Sequence, residues 1–305
     1  MVLRTNRTAP SPTPSSERKG RPSVKARRAA HTQRRRDASG VRPSRLAGGE
    51  RSGEGATLTT RVEEPHAASR VWLFDLDNTL HDATNAAFGE MHVAIGDYVV
   101  EHVGVSHEEA DRLRQKYWLR YGATLLGLVR HHGVRAAHFL DQTHRLPGLE
   151  ERLRASSSDR AALAALRGRK FILTNAPRAY AMRVLTTLRL LRHFDGVITI
   201  EDMTMFGALR PKPDARMLRQ VAATLGVAPS RCILVEDTLA HLKSARSLGM
   251  RTVWMQRYVG GRFRGALRGR LNPDIERAAT ACRICPKPPY LYAKIGALRH
   301  LTRPR

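Results

Sequence analysis

Two aspartates spaced two apart, Asp75 and Asp77 in the run VWLFDLDNTL, directly follow an apolar strand-like stretch, and Thr79 lies two residues further on. Carboxylates at this spacing suit phosphoryl transfer, in which one acid attacks phosphorus while the other handles protons. A short strand rich in Val, Leu and Phe would end at Phe74, so Asp75 emerges at its carboxyl end, where open α/β sheets place their ligand crevices. Within a strand the two side chains would share a face. A turn after Asp75 lets one aim at phosphorus and the other at the leaving oxygen. The letters DLDN also describe an ordinary turn, so the reading depends on three further segments.

In RKFILTNAPRAY, Phe171 to Leu173 reads as a buried strand followed by Thr174 and Asn175. A hydroxyl and adjacent amides there can hold a phosphate oxygen, and a helix starting near Pro177 would add N–H groups aimed at the same anion. An ordinary helix cap is the plainer use of Thr-Asn. In GALRPKPDARML, Lys212 stands between Pro211 and Pro213, which restrict where the ammonium can go. A fixed cation there would offset repulsion between an attacking carboxylate and a phosphate dianion. In RCILVEDTLAHL, Cys232 to Val235 reads as another buried strand ending in Glu236 and Asp237. Acids gathered at neighbouring strand ends form an oxygen-rich site suited to Mg²⁺, and the same pair can cap the following helix.

Together the four segments resemble the four motifs of the haloacid dehalogenase (HAD) superfamily of phosphohydrolases, from about Arg70 to about Tyr258. The segments HDATNAAFGEMHVAIGDYV, YGATLLGLVRHHG and IEDM further resemble the pyrimidine 5′-nucleotidase subgroup. The resemblance implies that Asp75 is the nucleophile and Asp77 the general acid/base. It also implies that Thr174 and Lys212 bind phosphate and that Asp237 is a metal ligand. Glu236 either coordinates directly or acts from behind its neighbour. Mg²⁺ would meet the Asp75 carboxylate, the Asp77 backbone carbonyl and Asp237. The implied reaction is in-line attack on a phosphate monoester, giving an aspartyl-phosphate that water then hydrolyses. The second acid, Asp77, marks a phosphatase, since relatives that cleave carbon–halogen bonds lack it. The substrate implied is a pyrimidine nucleoside 5′-monophosphate, UMP or CMP. A sugar phosphate and a phosphomutase reaction remain as alternatives.

The expected fold is α/β, a Rossmann-like parallel sheet with a helical cap inserted after the first strand, about residues 83–160. Helical spacing of apolar positions in AAFGEMHVAIGDYVVEHV and ATLLGLVRHHG supports the cap. Such an insertion would cover the strand ends and contact the non-phosphate part of the substrate. Tyr117, Arg120, Tyr121 and Thr124 are candidates for those contacts, although two tyrosines four apart on a helix also simply pack together. His131, His132 and His144 lack metal-ligand spacing and are expected on the surface or in loops.

The remainder of the chain differs in composition. Residues 1–69 combine Pro, Ser, Gly and Arg with few large apolar side chains, which bury too little surface to offset the entropy of ordering. They are read as a disordered basic tail. No continuous apolar stretch suits a signal peptide or membrane helix, so a cytoplasmic protein is expected. The net charge of +26 draws on clusters such as QRRRD and GGRFRGALRGR. It implies loose, salt-sensitive contact with nucleic acid. A chiefly nucleic-acid-binding protein is thus the competing class, but no zinc-finger array, RNP-like motif or heptad zipper supports it. With only three cysteines, a reducing compartment fits, and the lone Cys282-x-x-Cys285 makes a poor zinc site. After an irregular loop over Arg257 to Ala281, PPYLYAKIGALRHL is expected to supply a short strand and a closing helix.

Overall fold

The computed structural model describes residues 70–154, 156–258 and 287–302. In chain order the strands are Val71–Phe74 (β1), Arg169–Leu173 (β2), Gly196–Ile198 (β3), Thr204–Met205 (β4), Ala208–Leu209 (β5), Cys232–Glu236 (β6), Arg251–Met255 (β7) and Ala293–Ile295 (β8). Six of them form one parallel sheet in the order β3-β2-β1-β6-β7-β8, while β4 and β5 make a separate antiparallel hairpin. The helices are Gly89–Val103 (α1), His107–Tyr121 (α2), Thr124–His132 (α3), Ala136–Thr143 (α4), Leu149–Arg152 (α5), Ser157–Ala165 (α6), Arg178–Thr187 (α7), Ala215–Thr224 (α8) and Leu239–Ser247 (α9). A π-helical turn, Thr84–Phe88, leads into α1.

Every residue of β1 is buried, because both faces of a parallel sheet are covered. This is why VWLF is apolar without alternation. Trp72 and Phe74 join Ile233 and Val235 in a cluster with Leu163 of α6 and Val184 of α7. Leu73, on the other face, packs with Leu234, Leu218 of α8 and Leu242 of α9. Each such side chain contributes about 2 kcal/mol when fully buried. Phe74 lies beside Ile172 of β2 and Val235 of β6, so Asp75 comes level with Leu173 and Glu236 at the carboxyl edge. Strand order reverses between β1 and β6, the switch point at which such sheets open a crevice.

Helices α1 to α4 form a second layer with its own core, in which Tyr98, Leu113, Tyr117, Leu128 and Phe139 pack together and against Ile200. The side chain of Ser106 accepts a hydrogen bond from the Glu109 amide and starts α2. That helix ends on Gly122 at φ +79°, a left-handed turn that costs glycine little. At Gly127 of α3 a Cβ would stand 2.0 Å from Tyr117 Cγ, so the close approach of α2 and α3 depends on the missing methyl. Leu149 of α5 and Leu163 of α6 belong to the sheet's cluster instead. The stretch 83–160 therefore holds two packings, and the sheet-covering layer resumes before its end.

The strand expected near the carboxyl end is β8, but the expected closing helix is a single 3₁₀ turn, Leu298–Leu301. Pro304 disfavours helical backbone just before it, and the turn is anchored in the core by Leu298, with the partly buried Leu301 packed against the same cluster. Arg257, at the start of the expected loop, forms a forked ion pair with the buried Asp159 of α6. The basic tail 1–69, most of that loop, and Cys282 and Cys285 lie outside the described residues. Cys232 is a buried free cysteine whose thiol is pushed up to about 11 by burial. Among the described residues no helix is long and apolar enough to cross a membrane.

Candidate active site

Asp75 follows β1 directly, and its amide continues the sheet by donating to Val235 O at 3.0 Å. Lys212 reaches it from the loop before α8. Its buried Nζ donates to Asp75 Oδ1 and to Glu236 Oε2, each at 2.7 Å. Asp237 completes a cluster in which ligand atoms of Asp75, Glu236 and Asp237 all lie within 4.8 Å of one another. The Trp254 indole in β7 donates to the Asp237 carbonyl at 2.9 Å and pins this turn.

Burial and the neighbouring Glu236 charge push the Asp75 carboxyl up to about 7, against the pull of Lys212. Burial, then the charges of Glu236 and Asp75, raise Asp237 well above the carboxylate range. Burial would raise Glu236 too, but Lys212 and His241 outweigh it and hold this carboxyl low. Lys212 is held protonated: burial opposes its charge, yet Asp75 and Glu236 more than offset that. Three carboxyl groups thus crowd together beside one ammonium, which pairs with two of them, Asp75 and Glu236. The all-oxygen donor set, and carboxyls whose crowding disfavours ionisation until a cation joins them, fit a hard divalent ion such as Mg²⁺.

Asp77 makes its side-chain contacts outside this cluster. Its Oδ1 accepts from Tyr180 Oη at 2.7 Å and lies 2.9 Å from His81 Nε2. The turn just after Asp77 passes through Asn78, which sits at φ +56°, a conformation Asn tolerates better than most residues. Asn78 Oδ1 accepts from the amide and hydroxyl of Thr84, at 3.0 and 3.1 Å, and so ties the loop to the π-helical turn.

Thr174 is buried at the end of β2, where its Oγ1 accepts from the Ala176 amide at 3.0 Å, leaving the hydroxyl proton to donate. Asn175 has a different task from the one its position suggests. Its side-chain amide pairs with the Lys212 backbone in both directions, at 3.0 and 2.9 Å, and so fixes the lysine loop. The start of α7 also differs from expectation, because the Arg178 amide already donates to the Glu201 carboxylate at 3.0 and 3.1 Å. An acidic side chain there takes one of the orphan N–H groups that the sequence reading aims at phosphate.

The four cap candidates make contacts among themselves and their neighbours. Tyr117 Oη lies 2.7 Å from His132 Nε2, Tyr121 Oη lies 2.6 Å from His131 Nε2, and the two tyrosine rings are 6.1 Å apart. Thr124 donates to Arg114 O at 3.4 Å, and the Arg120 guanidinium lies 5.6 Å from the Tyr121 ring. None of the four has a hydrogen bond to the acidic cluster, and the packing role accounts for the tyrosines. His131 and His132 are exposed in the last turn of α3. His144 lies in the turn after α4, as a loop residue would. It is half-buried at the end of α4 and meets the Tyr180 ring edge-on, with centroids 5.8 Å apart. This follows from the chain turning back towards the sheet just after α4.

Sequence reasoning missed Tyr180, His81 and His241. His241 Nδ1 lies 3.1 Å from Glu236 Oε2. Tyr180 was the most legible of them, a polar aromatic in the first turn after the TNAP stretch.

A family model described as haloacid dehalogenase-like hydrolase matches residues 70–249, a span that contains every site residue from Asp75 to His241. The chain belongs to this family. Among curated proteins it is 24% identical over 203 residues to Phosphate metabolism protein 8 of Saccharomyces cerevisiae, covering 62% of each chain. It is 35% identical over 79 residues to Validoxylamine A 7′-phosphate phosphatase of Streptomyces hygroscopicus subsp. limoneus, covering 26% of this chain and 35% of that one. The chain therefore spans less than two thirds of the length of these relatives. Similar solved structures include a HAD phosphatase from Thermococcus onnurineus, 21% identical, with 76% of this chain and 95% of that one covered and a TM-score of 0.47. The L-2-haloacid dehalogenase from Xanthobacter autotrophicus is 18% identical, with 77% and 97% covered and a TM-score of 0.47.

Proposed function

We propose that this HAD-like hydrolase cleaves a small phosphate monoester through an aspartyl-phosphate on Asp75, using Mg²⁺, with pyrimidine nucleoside 5′-monophosphates as the substrate. The observation that carries this reading is the buried Lys212 ammonium at 2.7 Å from both Asp75 and Glu236, at the switch point of the sheet and beside Asp237. Such an arrangement holds a carboxylate in place to attack a dianion and screens their repulsion.

In the proposed reaction an Asp75 oxygen bonds to phosphorus as the ester P–O bond breaks, and Asp77 gives its proton to the departing oxygen. Asp77, now ionised, takes a proton from water as that water attacks phosphorus, releasing inorganic phosphate and restoring the Asp75 carboxylate. Lys212 has three N–H donors, of which Asp75 and Glu236 occupy two. The third and the Thr174 hydroxyl proton are available to phosphoryl oxygens. Asp75, Asp237 and the Asp77 backbone carbonyl would hold Mg²⁺, which when bound neutralises charge on those oxygens. Glu236, engaged by Lys212 and His241, acts from behind this set.

The nucleotide assignment is supported by the three subgroup-like segments, two of which lie in the cap and its approach. The phosphatase named for a 7′-phosphate supports the broader monoester class and keeps a sugar-like phosphate as the second reading. The test is phosphate release from nucleoside monophosphates and sugar phosphates, with and without Mg²⁺, for wild type and Asp75→Asn. Metal-dependent release from UMP or CMP, reduced at least about a thousandfold in Asp75→Asn, is the expected result. Release from sugar phosphates alone would replace the substrate and keep the mechanism. Full turnover by Asp75→Asn would overturn both.

A further inference from the structure

We propose that Tyr180 and His81 are positioning residues that orient Asp77, fixing Oδ1 so that Oδ2 is the oxygen that delivers its proton to the leaving group. The inference rests on the reading of Asp77 as general acid and adds the device that aims it. Both contacts converge on one atom: Tyr180 Oη donates to Oδ1 at 2.7 Å, and His81 Nε2 stands 2.9 Å from the same oxygen. Oδ2 has no hydrogen-bond partner among the described residues. A neutral carboxyl whose Oδ1 accepts two hydrogen bonds keeps its proton on Oδ2, because a proton on Oδ1 would face two donors.

The two donors are themselves held. His81 is fully buried, and its Nδ1 has no partner among the described residues. The tautomer that donates from Nε2 therefore makes the ring's one protein hydrogen bond. Tyr180 is 1% exposed and presents its hydroxyl from the first turn of α7. Its ring meets His144, at the end of α4, with centroids 5.8 Å apart, and His81 with centroids 6.5 Å apart. Tyrosine is thus fixed by the sheet layer on one side and by the end of the cap helices on the other. General acid catalysis contributes about 10²–10⁴-fold where the leaving oxygen is a poor one, and a carboxyl free to rotate would forfeit part of that.

The test separates esters by their need for an acid. In the proposed step the proton moves from Oδ2 to the departing oxygen as the Asp75–P bond forms and the ester bond breaks. An alkyl leaving group such as the ribose oxygen of UMP needs that proton, whereas 4-nitrophenolate leaves without it. For Tyr180→Phe, kcat/KM on UMP, or on ribose 5-phosphate if the panel selects it, is expected to fall about 10–100-fold. The loss should lie in kcat, with KM changed less than about twofold and kcat/KM on 4-nitrophenyl phosphate lowered less than about threefold. An equal fall on both esters, or a rise in KM alone, would overturn the proposal. His81→Leu should repeat the split and His81→Gln, which keeps an N–H donor, should restore much of it. This pair decides the matter if Tyr180→Phe folds poorly. Asp77→Asn sets the largest split available. If it lowers kcat/KM equally for both esters, a quantity that reports formation of the aspartyl-phosphate and not the shared hydrolysis in which Asp77 serves as base, the acid assignment fails together with this inference. If Asp75→Asn keeps full turnover, the parent reading of the site fails instead.

Discussion

Lys212 is buried between two carboxylates, and removing its ammonium would leave Asp75 and Glu236 facing each other without compensation. Lys212→Met should therefore destabilise the fold by about 3–5 kcal/mol, the range for breaking a buried ion pair on one side only. Guanidinium denaturation monitored by circular dichroism measures it, and a loss below about 1 kcal/mol would mean that the pair is far better solvated than its burial indicates. At this scale the residues bearing opposite charge were legible, because Asp75, Glu236 and Asp237 lie at strand ends and Lys212 sits between prolines. Tyr180 and His81 were not. A neutral donor leaves no charge pattern, and only the path of the chain shows that it meets Asp77.

The elements place these residues, and α8 shows how. Asp214 caps it, with Oδ1 accepting from the Arg216 amide at 2.8 Å, two residues after Lys212. Met217, Leu218 and Val221 of the helix then anchor this loop to the sheet. Asp214→Ala should cost about 1 kcal/mol, as for other lost caps. The cost carries a pH signature. Burial would raise the Asp214 carboxyl, but hydrogen bonds from Arg216 and Arg210 outweigh it and bring it from 3.8 down to about 2. A depressed folded-state value means that the stabilisation is present above the unfolded value and lost as pH falls through the folded one. The difference in melting temperature between wild type and Asp214→Ala should thus hold above pH about 4 and shrink as pH falls towards 2. A gap that widened on acidification would refute the assignment. Strand positions were readable from short apolar runs with polar ends. The division of 83–160 between cap and sheet layer was not, since both parts show the same helical periodicity.

Across the whole molecule, the acidic site contrasts with a chain of net charge +26. Every candidate site residue lies between Asp75 and His241, after the basic segment 1–69. Truncation of residues 1–69 should leave kcat/KM for a small monoester within about twofold, since no group invoked in the chemistry is removed. It should also weaken salt-sensitive retention on immobilised DNA, which follows from counterion release. Steady-state kinetics and a salt-gradient elution measure the two effects separately. Lost turnover on small substrates would give the segment a part in the site.

Sequence by itself determined the parallel α/β core, three strand-end segments, the proline-flanked lysine and the identity of the charged cluster. Unbroken apolar strands ending in acids or Thr, and a lysine held between two prolines, are local patterns, and local patterns survive in one dimension. Tertiary structure alone decided that Asn175 serves the Lys212 backbone and that Glu201 occupies the start of α7. It also decided that Tyr117 and Tyr121 belong to the cap's packing and that Tyr180 and His144 converge near Asp77. Those assignments depend on which donor lies within about 3 Å of which acceptor. Residues far apart in the chain meet at that distance only when strand register and helix packing bring them together.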